Sequence, residues 1–278
     1  MIRGLYHPSP VDYSFYKSIG FTHMEVSVNA YPGNSEKLQE TLDRVHFAGL
    51  FGIVDFGMFN DQNKAIEFLK NCHLHDEDIL MICDEPNIKN IPPGSIVMAN
   101  GLLNKICPRN KTMITLSWIK DFHGYDDVCN FIGLDYYKSF YDLWSLAVFT
   151  IKVKLFESKN HASQIVAVPA IRFSPGHIKR QSWYWRNILG TRNFIWYSAT
   201  PDQENPPWAD FDLSRLHEET KALQKINKHK YLESNIFKEI ITTALRAGKL
   251  ILCVIKELLL FYYDKIINKL KGRRNNAI

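Results

Sequence analysis

Apolar runs of strand length alternate with helix-length segments eight times between residues 1 and 230, and no other property of the chain narrows its fold as far. The predicted strands are Ile2–His7, His23–Val28, Gly52–Phe56, Ile79–Cys83, Thr112–Trp118, Phe131–Tyr136, Ile165–Ile171 and Asn193–Ser198. The predicted helices are Val11–Ile19, Ser35–Ala48, Gln62–Asn71, Gly94–Ile106, Phe122–Val128, Phe140–Glu157, His177–Leu189 and Leu213–Ile226. A helix in every interval implies parallel strands, because parallel neighbours need a long crossover where antiparallel ones need only a turn. Eight such units match an α/β fold of the (β/α)8 TIM-barrel type, whose typical length is about 250 residues. A doubly wound open sheet would place a glycine-rich phosphate turn after its first strand, and Tyr6-His7-Pro8-Ser9-Pro10 contains no glycine.

The barrel is expected to occupy residues 1–230, with residues 231–278 an appended C-terminal amphipathic helix. On a helical wheel the polar residues Lys238, Glu239, Arg246, Lys249, Lys256, Glu257, Asp264 and Lys271 share one quarter-turn. The rest of that surface is largely Ile, Leu, Val, Phe and Tyr, and the segment closes on Lys269-Leu270-Lys271-Gly272-Arg273-Arg274. No uncharged run reaches the ~20 residues that a spanning helix requires. Such a helix suits either peripheral contact with an anionic membrane surface or self-association through residues 236–271.

The net charge of +5 resides entirely in that tail, which has nine Lys/Arg against four Asp/Glu. The first 230 residues hold 25 of each sign, so the body is not shaped for phosphate backbones and no nucleic-acid partner is expected. The five cysteines are scattered without CxxC spacing, which excludes a disulfide framework and points to a reducing compartment. Met1-Ile2-Arg3-Gly4-Leu5-Tyr6 reads as a strand from the first residue, so no signal peptide is expected and the location is taken as cytoplasmic.

In barrel enzymes the reactive groups come from the C-terminal ends of the strands. Those ends carry His7, Glu25, Asp55, the pair Asp84 and Glu85, Trp118, Asp135 followed by Tyr136 and Tyr137, Arg172, and Trp196 with Tyr197. The fourth is the most informative. There Ile79-Leu80-Met81-Ile82-Cys83 runs into Asp84-Glu85-Pro86-Asn87, so two adjacent carboxylates sit where a buried strand is stopped by proline. Poor solvation at that place raises a carboxyl pKa, as a general acid working near neutral pH requires. The blander alternative is a solvated acidic turn.

Cys83-Asp84-Glu85-Pro86-Asn87 resembles the acid/base segment of (β/α)8 glycoside hydrolases, and related bacterial barrels carry motifs similar to Ile132-Gly133-Leu134-Asp135-Tyr136-Tyr137 and Phe194-Ile195-Trp196-Tyr197-Ser198. The resemblance covers residues 1–225 in strand order. It implies a carbohydrate substrate, an acid/base role for Glu85, a second carboxylate at Asp135, a sugar-stacking floor at Trp196, and no cofactor. His7, Glu25, Asp55, Asp84, Trp118, Tyr137 and Arg172 are the expected substrate-binding rim, with Asp55 in reserve as the second carboxylate and Tyr137 as a donor to Asp135.

Two departures stand against the family pattern. Asp84 occupies a place commonly held by Asn, and the seventh strand, Ile165-Val166-Ala167-Val168-Pro169-Ala170-Ile171-Arg172-Phe173, has no carboxylate where the family's nucleophile sits. Strands 4 and 6 have one strand between them, which puts their backbones roughly 9–10 Å apart. That spacing favours carboxyls about 6.5–9.5 Å apart and an inverting reaction through an intervening water. Two competing readings follow: a catalytically lapsed barrel that binds a glycan or acts as a membrane-tethered scaffold, and a metal-dependent hydrolase using His7, Glu25 and Asp55. The second is weakened by the absence of an HxH pair on the first strand.

Overall fold

The structure, a computed structural model, describes residues 1–6, 13–28, 34–56, 69–136, 143–169 and 175–197. Within them lie strands β1 (Arg3–Tyr6), β2 (His23–Ser27), β3 (Phe51–Asp55), β4 (Ile79–Asp84), β5 (Lys111–Ser117), β6 (Phe131–Tyr136), β7 (Gln164–Pro169) and β8 (Phe194–Tyr197). The helices are α1 (Tyr13–Ser18), α2 (Ser35–Phe47), α3 (Pro93–Ile106), α4 (Leu143–Glu157) and α5 (Pro175–Asn187). Every strand pairs in parallel with its sequence neighbours, and β8 pairs with β1, so the sheet closes into an eight-stranded barrel. The predicted helices at 213–226 and across the C-terminal tail lie outside the described residues.

Strand alternation divides the apolar residues into two shells. Ile53, Ile79, Met81, Met113, Val166, Val168 and Ile195 fill the barrel interior. Met24, Val26, Val54, Leu80, Ile114, Leu116, Ile132 and Leu134 face outward and pack with the helices. On α2, Leu38, Leu42 and Val45 supply the buried face at helical spacing, and the Asn34 side chain caps the first turn by accepting from Lys37 N–H at 2.9 Å. Pro93 opens α3, where its missing N–H costs nothing, and Ile96, Ala99 and Leu103 are its buried residues.

The helix expected over Phe122–Val128 is absent. Residues 121–130 form turns, with Gly124 at φ +82° and Asp127 at φ +58° interrupting any helical run. Phe122, Tyr125 and Val128 are buried as a helix would bury them, so the apolar spacing is present without the backbone that usually produces it.

The N-terminal end of the barrel is tied by the fully buried Asp78. Its carboxylate accepts from Gly52 N–H at 2.6 Å and His75 N–H at 2.8 Å, and meets His46 Nε2 at 3.0 Å. The side-chain amide of Asn110 adds bonds to the carbonyls of His75 and Asp78. This face reads as structural, in keeping with the division of labour in such barrels.

Candidate active site

At the opposite end, the inward positions of successive strands are polar. Tyr6 on β1, Glu25 on β2, Asp55 on β3, Asp84 on β4, Thr115 and Ser117 on β5 and Asp135 on β6 are all buried or half-buried. Glu25 lies between the outward Met24 and Val26, and Asp55 follows the inward Ile53 by two, so alternation turns both carboxyls inward. The Tyr6 hydroxyl, donating to Met81 Sδ at 3.0 Å, senses this convergence. Burial pushes its pKa well above the usual phenol value, and the charges of Asp84, Asp55, Glu25 and Asp135 raise it further.

How β4 delivers Asp84 and Glu85 depends on two backbone irregularities. Met81 pairs with Met113, but the next register partners are Cys83 with Ile114 and Asp84 with Thr115, a bulge that places one extra residue in β4. Strict alternation from the inward Met81 would send Asp84 outward. The bulge instead buries Cys83 in the outer shell and sets Asp84 over the inward Thr115. Glu85 then adopts φ +50°, a left-handed conformation that L-residues other than Gly and Asn take at a cost of about 1–2 kcal/mol. Such irregularities concentrate at functional sites.

The turn that follows is pinned to β5. Glu85 N–H donates to Thr115 O at 3.0 Å, while Ile88 and Lys89 N–H both return to Glu85 O at 3.1 Å. The buried Asn87 bonds the backbone of Ser117 twice, donating from Nδ2 to its carbonyl at 2.8 Å and accepting its N–H at 3.0 Å. The Thr115 hydroxyl donates to Asp84 Oδ1, and Lys89 Nζ reaches Asp84 O at 2.5 Å and Asp84 Oδ2 at 3.9 Å. Burial raises the Asp84 pKa; the Thr115 hydroxyl opposes that rise, the neighbouring Glu85 adds to it, and Lys89 opposes it.

Asp135 is fully buried, and its Oδ1 accepts the Trp118 N–H at 3.0 Å. Burial first, then the neighbouring Glu85 carboxyl and the charge of Asp84, hold the Asp135 pKa well above the usual carboxylate range. Asp135 Oδ2 is buried without a hydrogen-bond partner, a position where a neutral carboxyl costs less than an ionised one.

Trp196 is not a floor for a ligand. It lies two residues beyond the outward Phe194, is fully buried in the outer shell, and stacks on Phe194 at 5.9 Å. The Trp118 ring likewise packs with the outer shell, edge-on to Tyr136 at 5.4 Å, so what Trp118 brings to Asp135 is its backbone N–H. His7, Tyr137 and Arg172 lie outside the described residues. Among the described residues no group of three or more His, Cys, Asp and Glu side chains is placed to hold a metal ion, and no helix is long and apolar enough to cross a membrane. The sequence reading missed Tyr6, Asn87, Thr115 and Ser117. Asn87 alone carried a signal, its place in the Asp-Glu-Pro-Asn turn.

Solved structures with this fold include glycoside hydrolases. A glycoside hydrolase family 17 β-1,3-glucanosyltransferase of Rhizomucor miehei, solved as an active-site mutant with laminaritriose, is 11% identical over 76% of this chain and 92% of its own, with a TM-score of 0.52. A putative chitinase A from Streptomyces coelicolor is 10% identical over 82% of this chain and 99% of its own, also at 0.52. A β-glucuronidase of Parabacteroides merdae matches 71% of this chain at 11% identity and a TM-score of 0.44, and the chain spans 31% of that protein's length. At these identities the likeness shows the barrel fold. No family model and no curated protein matches the sequence.

Proposed function

We propose that this protein is a glycoside-hydrolase-like enzyme that cleaves a glycosidic bond in an oligo- or polysaccharide, with Glu85 and Asp135 as its working carboxyls. The reading is carried by the polar inward positions at the C-terminal end of the barrel, where Asp135 is fully buried with its pKa held well above the usual carboxylate range by burial and by the neighbouring Glu85 and Asp84, and Glu85 is half-buried. Neighbouring carboxyls resist ionising together, which favours keeping one proton between them. With that proton on Glu85, the member with open surface, Glu85 protonates the leaving glycosidic oxygen. Asp135, as the carboxylate, takes a proton from the water that attacks the anomeric carbon, so the C–O bond broken is replaced by one to water. Asp84, Glu25 and Asp55 serve as acceptors for sugar hydroxyls, and His7, Tyr137 and Arg172 are proposed as further substrate-binding residues on their sequence positions alone.

A second reading, a barrel that binds a glycan without cleaving it, is favoured by β7. Its inward positions are Val166 and Val168, with no carboxylate among the described residues of that strand. In either reading the 236–271 segment is proposed, on its sequence pattern, as the element for peripheral membrane contact or self-association.

Product analysis after incubation with β-1,3-glucans, chito-oligosaccharides and aryl glycosides tests the proposal. Cleavage by the wild type is expected, with a loss of about 10²–10⁴-fold in Glu85→Gln and in Asp135→Asn. Near-normal turnover in either variant rejects the assigned pair, and binding without cleavage selects the second reading.

A further inference from the structure

We propose that Thr115 is the positioning residue of this carboxyl cluster, its hydroxyl fixing how the two acids of β4 are presented. Thr115 is 1% exposed and points inward from β5, the strand between Glu85 and Asp135. The β4 bulge brings Asp84 into register beside it. Its hydroxyl has one hydrogen, which is given to Asp84 Oδ1, so toward Glu85 the same oxygen acts as an acceptor, taking the Glu85 N–H at 3.3 Å. The Thr115 carbonyl accepts that N–H as well, at 3.0 Å. One residue therefore engages the side chain of one acid and the backbone of the next.

The neighbouring strand makes room for it. Thr115 pairs with Gly133, where an added Cβ would lie 2.8 Å from Thr115 Cγ2 and 2.7 Å from Met113 Cε. Any side chain on β6 at this level would push the threonine out of place. With Oδ1 engaged, Asp84 keeps Oδ2 on its open side, 3.9 Å from Lys89 Nζ. The left-handed conformation of Glu85 is retained because its N–H is held from β5. The importance of this placement for catalysis rests on the hydrolase reading above, whereas the contacts themselves do not.

The test is a carboxyl ¹³C NMR titration of the wild type, Thr115→Val and Thr115→Ser, with Asp84→Asn identifying the Asp84 resonance. A hydroxyl that donates to a carboxylate favours its ionised form, so losing it moves the Asp84 midpoint upward, by about one pH unit. Thr115→Ser restores the wild-type midpoint, and Thr115→Ala, which also lacks the hydroxyl, behaves as Thr115→Val does. An Asp84 midpoint that stays at its wild-type value in Thr115→Val or Thr115→Ala overturns the proposal, as does a failure of Thr115→Ser to restore it. Where the wild type cleaves a glycan, kcat is expected to fall at least about tenfold in Thr115→Val, with the acid limb of its pH profile moving by the same interval. A wild type that cleaves no glycan while the midpoint still moves leaves Thr115 as the positioning residue and removes the hydrolase reading alone.

Discussion

Asp135 accepts the Trp118 N–H through Oδ1 at 3.0 Å, while its Oδ2 is buried without a hydrogen-bond partner. The carboxyl is fully buried, and burial together with the neighbouring Glu85 and Asp84 carboxyls holds its pKa well above the usual carboxylate range.

Asp135 carries a stability consequence whose sign follows from its raised pKa. The unfolded chain releases this proton near pH 3.9, while the folded chain retains it to higher pH. The group's contribution is therefore full below about pH 4 and is lost as pH rises toward the folded value. Asp135→Asn keeps an acceptor for the Trp118 N–H but has no proton to lose. Its melting temperature is expected to exceed the wild type's at pH 8, with the difference shrinking toward pH 4, while any hydrolytic activity falls by about 10²–10⁴-fold. Calorimetry between pH 4 and 8 checks this, and a difference that grows toward acid would contradict it.

Glu85 stores backbone strain at φ +50°. Glu85→Gly relieves that strain, whereas Glu85→Gln removes the charge and keeps the conformation. The glycine variant is expected to be about 1 kcal/mol more stable than the glutamine variant in urea unfolding. Equal stabilities would mean that the turn, and not the residue, sets the cost.

Asn87 bonds both backbone groups of Ser117 from a buried position. Asn87→Ala leaves a buried N–H and a buried carbonyl without these partners, a loss of about 2–3 kcal/mol. Because Asn87 also seats the turn that carries Glu85, activity is expected to fall with stability. Chemical denaturation beside glycan turnover measures both.

Asp78 provides the contrast at the other end of the barrel. Its fully buried carboxylate faces Gly52 N–H, His75 N–H and His46. Asp78→Ala should cost about 3–5 kcal/mol, while the activity of each molecule that remains folded stays at the wild-type level. Activity normalised to the folded fraction separates the two effects.

Much of this architecture was legible in the residues. The eight predicted strands coincide with β1–β8 to within two residues at most ends, because a parallel strand buried on both faces is an apolar run bounded by polar turns. The 122–128 region misled because Phe122, Tyr125 and Val128 recur at a spacing that both a helix and successive turns can bury. Trp196 misled through its position at a strand end, where an aromatic looks available. Its face is decided by distance from Phe194 along a period of two, and that face is the outer one.

The sequence by itself determined a closed parallel barrel and the concentration of carboxyls at its C-terminal rim, because both follow from local pattern: a period of two, and polar residues where apolar runs stop. Which carboxyl of β4 turns inward was decided only by the tertiary structure. One extra residue between Met81 and Cys83 reverses the later side chains of β4, carrying Cys83 out and Asp84 in, and Glu85 then turns left-handed. That register is set by pairing with β5, about thirty residues away in sequence, and by closure of the whole sheet, so no window along the chain contains it.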